Sequence, residues 1–139
     1  MNNSTQYFRN PAADITYCEA GYLRTDWRSM AAEPAELRAI YEHVLRAMQR
    51  YHVTALLFVH GQQEAIPAAV QNWLVTEWIP RAIREAGYER CALVEANAQG
   101  TMDSQQAIGR RVAGTLEYAF FGEVAAAVGW LLQKEVLVA

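Results

Sequence analysis

The stretch ALLFVHGQQEAIP, residues 55–67, places a histidine at the abrupt end of an apolar run. Residues 54–59 are too few for a helix and do not alternate, which is typical of a strand covered on both faces. Sites in sheets flanked by helices are built at the carboxyl ends of such strands. His60 is therefore a candidate proton acceptor or ligand donor, since histidine titrates near neutral pH. The alternative is a hydrogen-bonded strand-end residue with no chemical role.

A ligand site at this strand end would need further lining residues. We expect His60, Gln62 and Gln63 to border a shallow cavity, with Trp73 or Trp78 nearby. Because Trp73 and Trp78 are five residues apart, they cannot share one narrow helical face. One is expected to pack inward and the other to line a groove or a subunit interface. These five residues form the predicted ligand-binding set.

The usual catalytic and cofactor motifs do not occur in this sequence. There is no His-x-x-x-His or Cys-x-x-Cys spacing, no Gly-x-Ser-x-Gly elbow and no glycine-rich nucleotide loop. Cys18 and Cys91 lie in strand-like segments and are interpreted as core thiols, although Arg90 beside Cys91 leaves a reactive thiol as the alternative. We predict no catalytic residue, metal or cofactor, and no enzymatic activity.

Composition restricts the class of partner. Twelve basic residues against fifteen acidic ones give a net charge of -3 with no concentrated basic face, which disfavours nucleic acid as a partner. Residues 1–6 are polar, unlike a signal peptide, and no apolar run approaches the roughly 20 residues of a membrane span. The sequence predicts a cytoplasmic protein without a membrane span.

Hydrophobic periodicity predicts the elements of the first half. Residues 14–20 and 22–27 form a hairpin joined at Gly21, and residues 1–12 are a poorly ordered or edge segment. Apolar residues at steps of three and four predict a helix over 34–51. A second helix spans about 67–86, with a kink or break at Pro80 and an end at Gly87.

The second half of the chain alternates between predicted strands and helices. Residues 91–94 form a buried strand, Asp103 caps a short helix through Val112, residues 116–121 form a strand, and a last helix begins near Glu123. The glycine in residues 97–103 marks a plain loop or, alternatively, an anion site. The predicted core is Leu56, Phe58, Leu93, Val94, Leu116, Val128 and Leu131. Single strands alternating with helices predict one α/β domain over 1–139, with a mixed, largely parallel sheet that has an N-terminal antiparallel hairpin and is flanked by helices.

Two segments carry a family resemblance. WLVTEWIPRAIREAGYERCALV has a tryptophan, a proline within the helix and a glycine that closes it, and LEYAFFGEVAAAVGWL has an aromatic strand, an acidic turn and an alanine-rich helix. With the opening strands, this pattern resembles the SpoIIAA-like, or STAS-like, group of small bacterial proteins over residues 17–132. The resemblance implies a STAS-like fold and a role in docking partners or small ligands.

One feature of that group is missing here. Anti-sigma-factor antagonists of this fold carry a phosphorylatable serine or threonine just after the central strand. No serine or threonine occurs between Thr54 and Thr76. A phosphoserine switch is therefore not expected.

Two hypotheses about function follow. The first is a non-catalytic regulatory or interaction module that binds another protein, first of all itself as a homodimer, because the second helix is too aromatic to be satisfied within one subunit. The alternative is a small-molecule or lipid-type binding protein, with a pocket for a small apolar ligand between the central strand end and the second helix.

Overall fold

The computed structural model describes residues 4–28, 33–60, 66–94 and 99–133, with only the backbone of 99–102. Its α/β architecture confirms the predicted fold class: a mixed six-stranded sheet flanked by helices. The strands lie side by side in chain order: β1 (Ser4–Arg9), β2 (Ala13–Cys18), β3 (Tyr22–Trp27), β4 (Ala55–His60), β5 (Arg90–Val94) and β6 (Glu117–Phe121). The helices are α1 (Pro34–Tyr51), α2 (Ala68–Trp73), α3 (Ile79–Ala86), α4 (Gln99–Val112) and α5 (Val124–Leu131).

The N-terminal part of the sheet is antiparallel. The predicted hairpin is confirmed as β2 and β3, which pair antiparallel. Gly21 takes the left-handed φ of 123° in the turn, and its N–H donates to the carbonyl of Cys18 at 2.9 Å. The structure adds one strand to the predicted order, because β1 pairs antiparallel with β2 at the edge of the sheet. Its Ser-Thr-Gln start lacks the apolar run by which buried strands are recognised.

From β3 to β6 the strands are parallel, and alternate residues divide them between two faces. Leu56 and Cys91 point to the face covered by the connecting helices α1 to α4, which we call the crossover face. Leu57 and Ala92 point to the opposite side, the outer face, where α5 packs. The larger core therefore lies between the sheet and the connecting helices.

The predicted irregularity near Pro80 is confirmed. Between α2 and α3 the chain forms a π-helical turn, Leu74–Trp78, so that the N–H of Ile79 donates to the carbonyl of Leu74. Pro80 has no N–H to bond the preceding turn, and a wider turn directly before it absorbs that loss. The helical segment ends at Gly87, which has the left-handed φ of 73° that was expected there.

The predicted start of α4 is wrong. The helix begins at Gln99, so Asp103 lies inside it and is not its cap, and Gly100 belongs to a helix and not to a loop. The pattern Asp-Ser-Gln-Gln resembles a capping box, yet two of its members face the core: Ser104 is 5% exposed and Gln105 is 1% exposed. Ser104 Oγ accepts a hydrogen bond from the backbone N–H of Ile66 at 3.1 Å.

The predicted core is largely confirmed. Six of its residues are buried: Leu56, Phe58, Leu93, Val94, Leu116 and Leu131. Val128 is only half-buried, because it lies on α5, whose outward side has no covering layer among the described residues. Among the described helices, none is long and apolar enough to span a bilayer.

Candidate functional site

His60 ends β4 on the crossover face, and only 5% of it is exposed. Its ring lies nearly parallel to that of Trp27 on the neighbouring strand, with centroids 6.4 Å apart and planes at 10°. The ring of Phe58 meets it edge-on at 6.4 Å. The histidine is thus enclosed by aromatic side chains in the described part of the chain.

A buried carboxamide joins His60, at the end of β4, to the edge strand β6. Gln105 Nε2 lies 3.3 Å from His60 Nε2, and the hydroxyl of Tyr118 donates to Gln105 Oε1 at 2.6 Å. Because the phenol occupies the amide oxygen, the amide nitrogen faces the imidazole, and an amide nitrogen only donates. In a neutral imidazole, His60 Nε2 then accepts this hydrogen bond and the ring proton is on Nδ1.

This arrangement orients the imidazole through a neutral group. In a catalytic triad a carboxylate stabilises the imidazolium that forms during the reaction. The contact described at His60 Nε2 is with the amide N–H of Gln105. The hydrogen bonds tie β4, α4 and β6 together.

The two predicted tryptophans meet at Tyr41 of α1. The Tyr41 ring lies 5.2 Å from Trp78, 6.4 Å from Trp73 and 5.9 Å from Phe58. Trp78 is 1% exposed, and its Nε1 donates to the Tyr41 carbonyl at 2.9 Å. Trp78 is the inward-packing member of the pair, and Trp73 is half-buried.

The structure thus connects three of the five predicted ligand-binding residues through one aromatic cluster. Trp73 and Trp78 contact Tyr41, and Tyr41 contacts the phenylalanine that lies against His60. Gln62 and Gln63 lie outside the described residues. The cavity expected at this strand end stays a prediction.

Two polar atoms on the crossover face of β3 are buried without a hydrogen bond in the described chain: Thr25 Oγ1 and Trp27 Nε1. Thr25 is fully buried, and Trp27 is 3% exposed. An unsatisfied buried donor costs roughly 1–3 kcal/mol. An acceptor that reached the indole N–H beside His60 would recover that free energy.

Burial keeps the thiol and the phenols near this cluster protonated. It raises the pKa of Cys91 to about 12, although a hydrogen bond with Tyr88 acts the other way. It also raises the pKa values of Tyr41, Tyr88 and Tyr118. A thiol with this pKa is a poor nucleophile at neutral pH, and buried phenols serve as hydrogen-bond donors. Among the described residues, no three His, Cys, Asp or Glu side chains are grouped so as to hold a metal ion.

A different surface lies on the outer face. Helix α5, VAAAVGWL, has no charged or hydrogen-bonding side chain except the Trp130 indole. Ala127 and Leu131 pack against the sheet, whereas Ala125, Ala126 and Gly129 are exposed. We call this exposed side of α5, with half-buried Trp130, the α5 face.

Arg90 anchors the end of α5. Its Nη1 donates to the carbonyls of Trp130 and Gln133 at 3.0 and 3.1 Å, and its guanidinium lies 5.3 Å from the centroid of the Trp130 ring. Arg90 Nε also pairs with Glu117 at 2.6 Å. A cation is favourable at a helix C-terminus, where the free carbonyls carry partial negative charge.

Comparison with known proteins gives no match to any protein-family model, curated protein or solved structure.

The sequence did not single out the polar partners of His60. Gln105 lies three and seven residues before Ile108 and Val112, both buried, and this spacing places all three on one face of a helix. That periodicity was the available signal for a buried amide. No comparable signal identified Tyr118, which is 58 residues from His60 and shares no local motif with it.

Proposed function

We propose that this protein is a non-catalytic interaction module of STAS-like type, which self-associates as a homodimer in the cytoplasm. The α5 face is the observation that carries the proposal. It presents small apolar side chains to solvent on a helix without charge, beside the aromatic pair Phe121 and Trp130, whose centroids are 5.7 Å apart. Exposed apolar patches of this kind mark interaction sites in folded proteins.

A second copy is the occupant that this surface fits. An uncharged helix lies against its own copy across a twofold axis without like-charge repulsion. The exposed alanines and glycine allow close approach, because interaxial distance depends on the side chains at the contact. Half-buried Val124, Val128 and Phe121 surround the contact and extend its apolar area.

The resemblance to STAS-like proteins, which mostly dock partners, supports the same role. The His60–Gln105–Tyr118 network is consistent with it, since its hydrogen bonds hold β4, α4 and β6 together. Regulation by a phosphoserine after the central strand is not part of the proposal, because residues 55–75 contain no serine or threonine.

Light scattering coupled to size exclusion tests self-association. We expect about twice the chain mass of 15.6 kDa at micromolar concentration. A monomer at every concentration up to the millimolar range would contradict the proposal.

A second candidate function is favoured by one observation: the indole N–H of Trp27, beside His60, has no hydrogen-bond partner in the part of the chain that the structure describes. A small-molecule or lipid-type ligand with an apolar body and one hydrogen-bond acceptor would satisfy it. A thermal-shift screen with fatty acids and carboxylate metabolites tests this, with Trp27→Phe as the matched variant that keeps a ring and removes the donor. A stabilising compound whose effect is lost in Trp27→Phe would establish the site; equal effects on both proteins would exclude it.

A further inference from the structure

We propose that the open edge of β6, together with the groove between β6 and α4, binds an extended peptide segment of a partner protein. The segment carries apolar side chains at alternate positions and one acidic side chain. This inference rests on the proposed role as an interaction module and names a class of partner for it. The surface is separate from the α5 face, because α4 and α5 lie on opposite faces of the sheet.

The backbone of β6 directs hydrogen-bonding groups toward the open edge of the sheet. The N–H of Glu117 donates to the carbonyl of Glu89 at 3.0 Å, so alternate residues from Glu117 onward direct their backbone groups toward β5. Tyr118 and Phe120 then direct their N–H and C=O groups away from the sheet. Within the described chain, β6 has a neighbouring strand on one side only. An edge of this kind pairs with an added strand.

The same two residues line the adjacent groove. It has a volume of 320 Å³ and is formed by Gln106, Gly109, Arg110, Ala113, Tyr118 and Phe120. The rings of Tyr118 and Phe120 meet edge-to-face with centroids 5.8 Å apart. Gly109 lets the helix pass close to this wall, because a Cβ there would lie 2.7 Å from the Tyr118 ring.

The groove therefore suits alternate side chains of a strand that pairs with β6. Successive side chains of an added strand point to opposite faces of the sheet, so every second one would lie in the groove. The rings of Tyr118 and Phe120 in the groove favour apolar side chains at those positions. Backbone pairing supplies affinity and the groove supplies selectivity, as in other peptide complexes formed by strand addition.

The positive charge of Arg110 is the reason for an acidic side chain in the bound peptide. Arg110 lines the groove and is exposed, and it has no ion-pair or hydrogen-bond partner among the described residues. The adjacent Arg111 is different, since it donates to Asn72 Oδ1 at 3.1 Å. A second copy pairing through its own β6 would present Glu117, whose carboxylate is already held by Arg90. An acidic side chain of a separate peptide is the better complement to Arg110.

Fluorescence polarisation with two labelled probes tests the proposal on the full chain. The first probe is Thr-Val-Thr-Glu-Thr-Val, in which the valines and the glutamate point to the same face of a strand, and the second has lysine in place of glutamate. We expect saturable binding of the acidic probe and about three- to fivefold weaker binding of the basic one, the range of one partly exposed ion pair. Arg110→Glu should reverse this preference. Arg111→Glu is the matched control and should retain it.

Amide NMR shifts locate the contact. The acidic probe should shift the amide resonances of Tyr118, Phe120 and Gly109. Three results would overturn the inference: no saturable binding at millimolar protein, an unchanged preference in Arg110→Glu, or shifts confined to β1 at the other edge. Concentration-dependent shifts of β6 without probe, and no competition by the probe, would assign the edge to a second copy and would also overturn it.

The proposed dimer can be tested separately in the same samples. Peptide binding by a protein that is monomeric throughout would refute only the homodimer. Self-association without any peptide binding would refute only the β6 inference.

Discussion

The two faces of the sheet differ in how completely helices cover them. On the crossover face, four helices cover the strands, and its core includes buried aromatic rings together with the His60–Gln105–Tyr118 network. On the outer face, the only helix that the structure describes is the eight-residue α5, which covers a small cluster around Leu57 and Ala92. The first face holds its polar groups inside the fold, whereas the second leaves apolar side chains exposed to solvent.

This difference separates stability from interaction within one small domain. A thick layer of helices buries large side chains and tolerates polar groups only when they are hydrogen-bonded. A thin layer exposes apolar surface, and that surface is available to a partner. We therefore expect changes on the crossover face to affect folding first, and changes on α5 to affect association first.

The strongest expected effect of the crossover face concerns alkaline pH. Burial raises the pKa values of Tyr41, Tyr88, Tyr118 and Cys91, so the unfolded chain releases these protons before the folded one does. The folded state then binds more protons, and the free energy of unfolding falls as pH rises. Each group contributes about 1.4 kcal/mol per pH unit between its two pKa values.

Urea unfolding between pH 8 and pH 11 measures this slope, which should steepen as the pH passes about 8.5 and then about 10, the ordinary pKa values of cysteine and tyrosine in an unfolded chain. Tyr118→Phe removes one titrating group and should make the slope shallower. A free energy of unfolding that stays constant through this range would show that the four groups are not protonated and buried together.

A matched pair on β4 compares the two faces directly. Leu56 and Leu57 are adjacent and fully buried, and they point to the crossover and outer faces. Leu56→Ala should lower the free energy of unfolding by about 2–5 kcal/mol, and Leu57→Ala by an amount near the lower end, because α5 alone can move to close the cavity. Denaturant titration checks both. A loss below about 1 kcal/mol for Leu56 would contradict its place in the core.

The polar network should show a smaller effect. Gln105→Leu leaves the Tyr118 hydroxyl and the His60 Nε2 without their shared partner, which should cost about 1–3 kcal/mol. Gln106→Leu, an exposed neighbour on the same helix, is the control and should change stability by less than about 0.5 kcal/mol. Equal effects in chemical denaturation would mean that Gln105 is not satisfied inside the protein.

The smallest of these effects concerns the attachment of α5. Arg90→Lys keeps the charge but loses the geometry that reaches two carbonyls and Glu117. We expect a loss of about 0.5–1.5 kcal/mol and faster hydrogen exchange in α5 than in α1. Unchanged exchange in α5 would show that Arg90 does not hold the helix to the sheet.

Local patterns were sufficient to predict most of the fold. The helical spacing of Leu37, Ile40 and Val44 and the apolar runs of β4 and β5 are direct consequences of how much of each element is buried. Residues 1–12 were predicted only as a poorly ordered or edge segment, and strand β1 was not delimited, because an edge strand needs few apolar residues. The start of α4 was misplaced because Asp-Ser-Gln-Gln satisfies a local capping rule, while the tertiary structure buries two of those side chains.

The candidate site was less predictable for a physical reason. His60 was placed at the end of a strand and Trp27 within one by their surroundings, but Gln105 reaches His60 only through the packing of α4 on the sheet, and Tyr118 joins them through Gln105. The contact between His60 and Gln105 joins residues 45 positions apart and depends on tertiary structure, which a local window does not contain. The exposure of Ala125, Ala126 and Gly129 on α5 was likewise not predicted, because a helix of apolar residues has no polar side chains to mark the side that faces solvent.

Sedimentation equilibrium of two alanine-to-glutamate variants tests the central claim most directly. Ala126 lies on the exposed side of α5, and Ala39 is an exposed residue of α1 on the other side of the molecule. Placing a charge in a self-contact buries it against its own copy, so Ala126→Glu should yield monomers of 15.6 kDa while Ala39→Glu stays dimeric. Both variants should keep the circular dichroism of the parent chain. A dimer in both variants, or a monomeric parent chain, would contradict self-association through the α5 face.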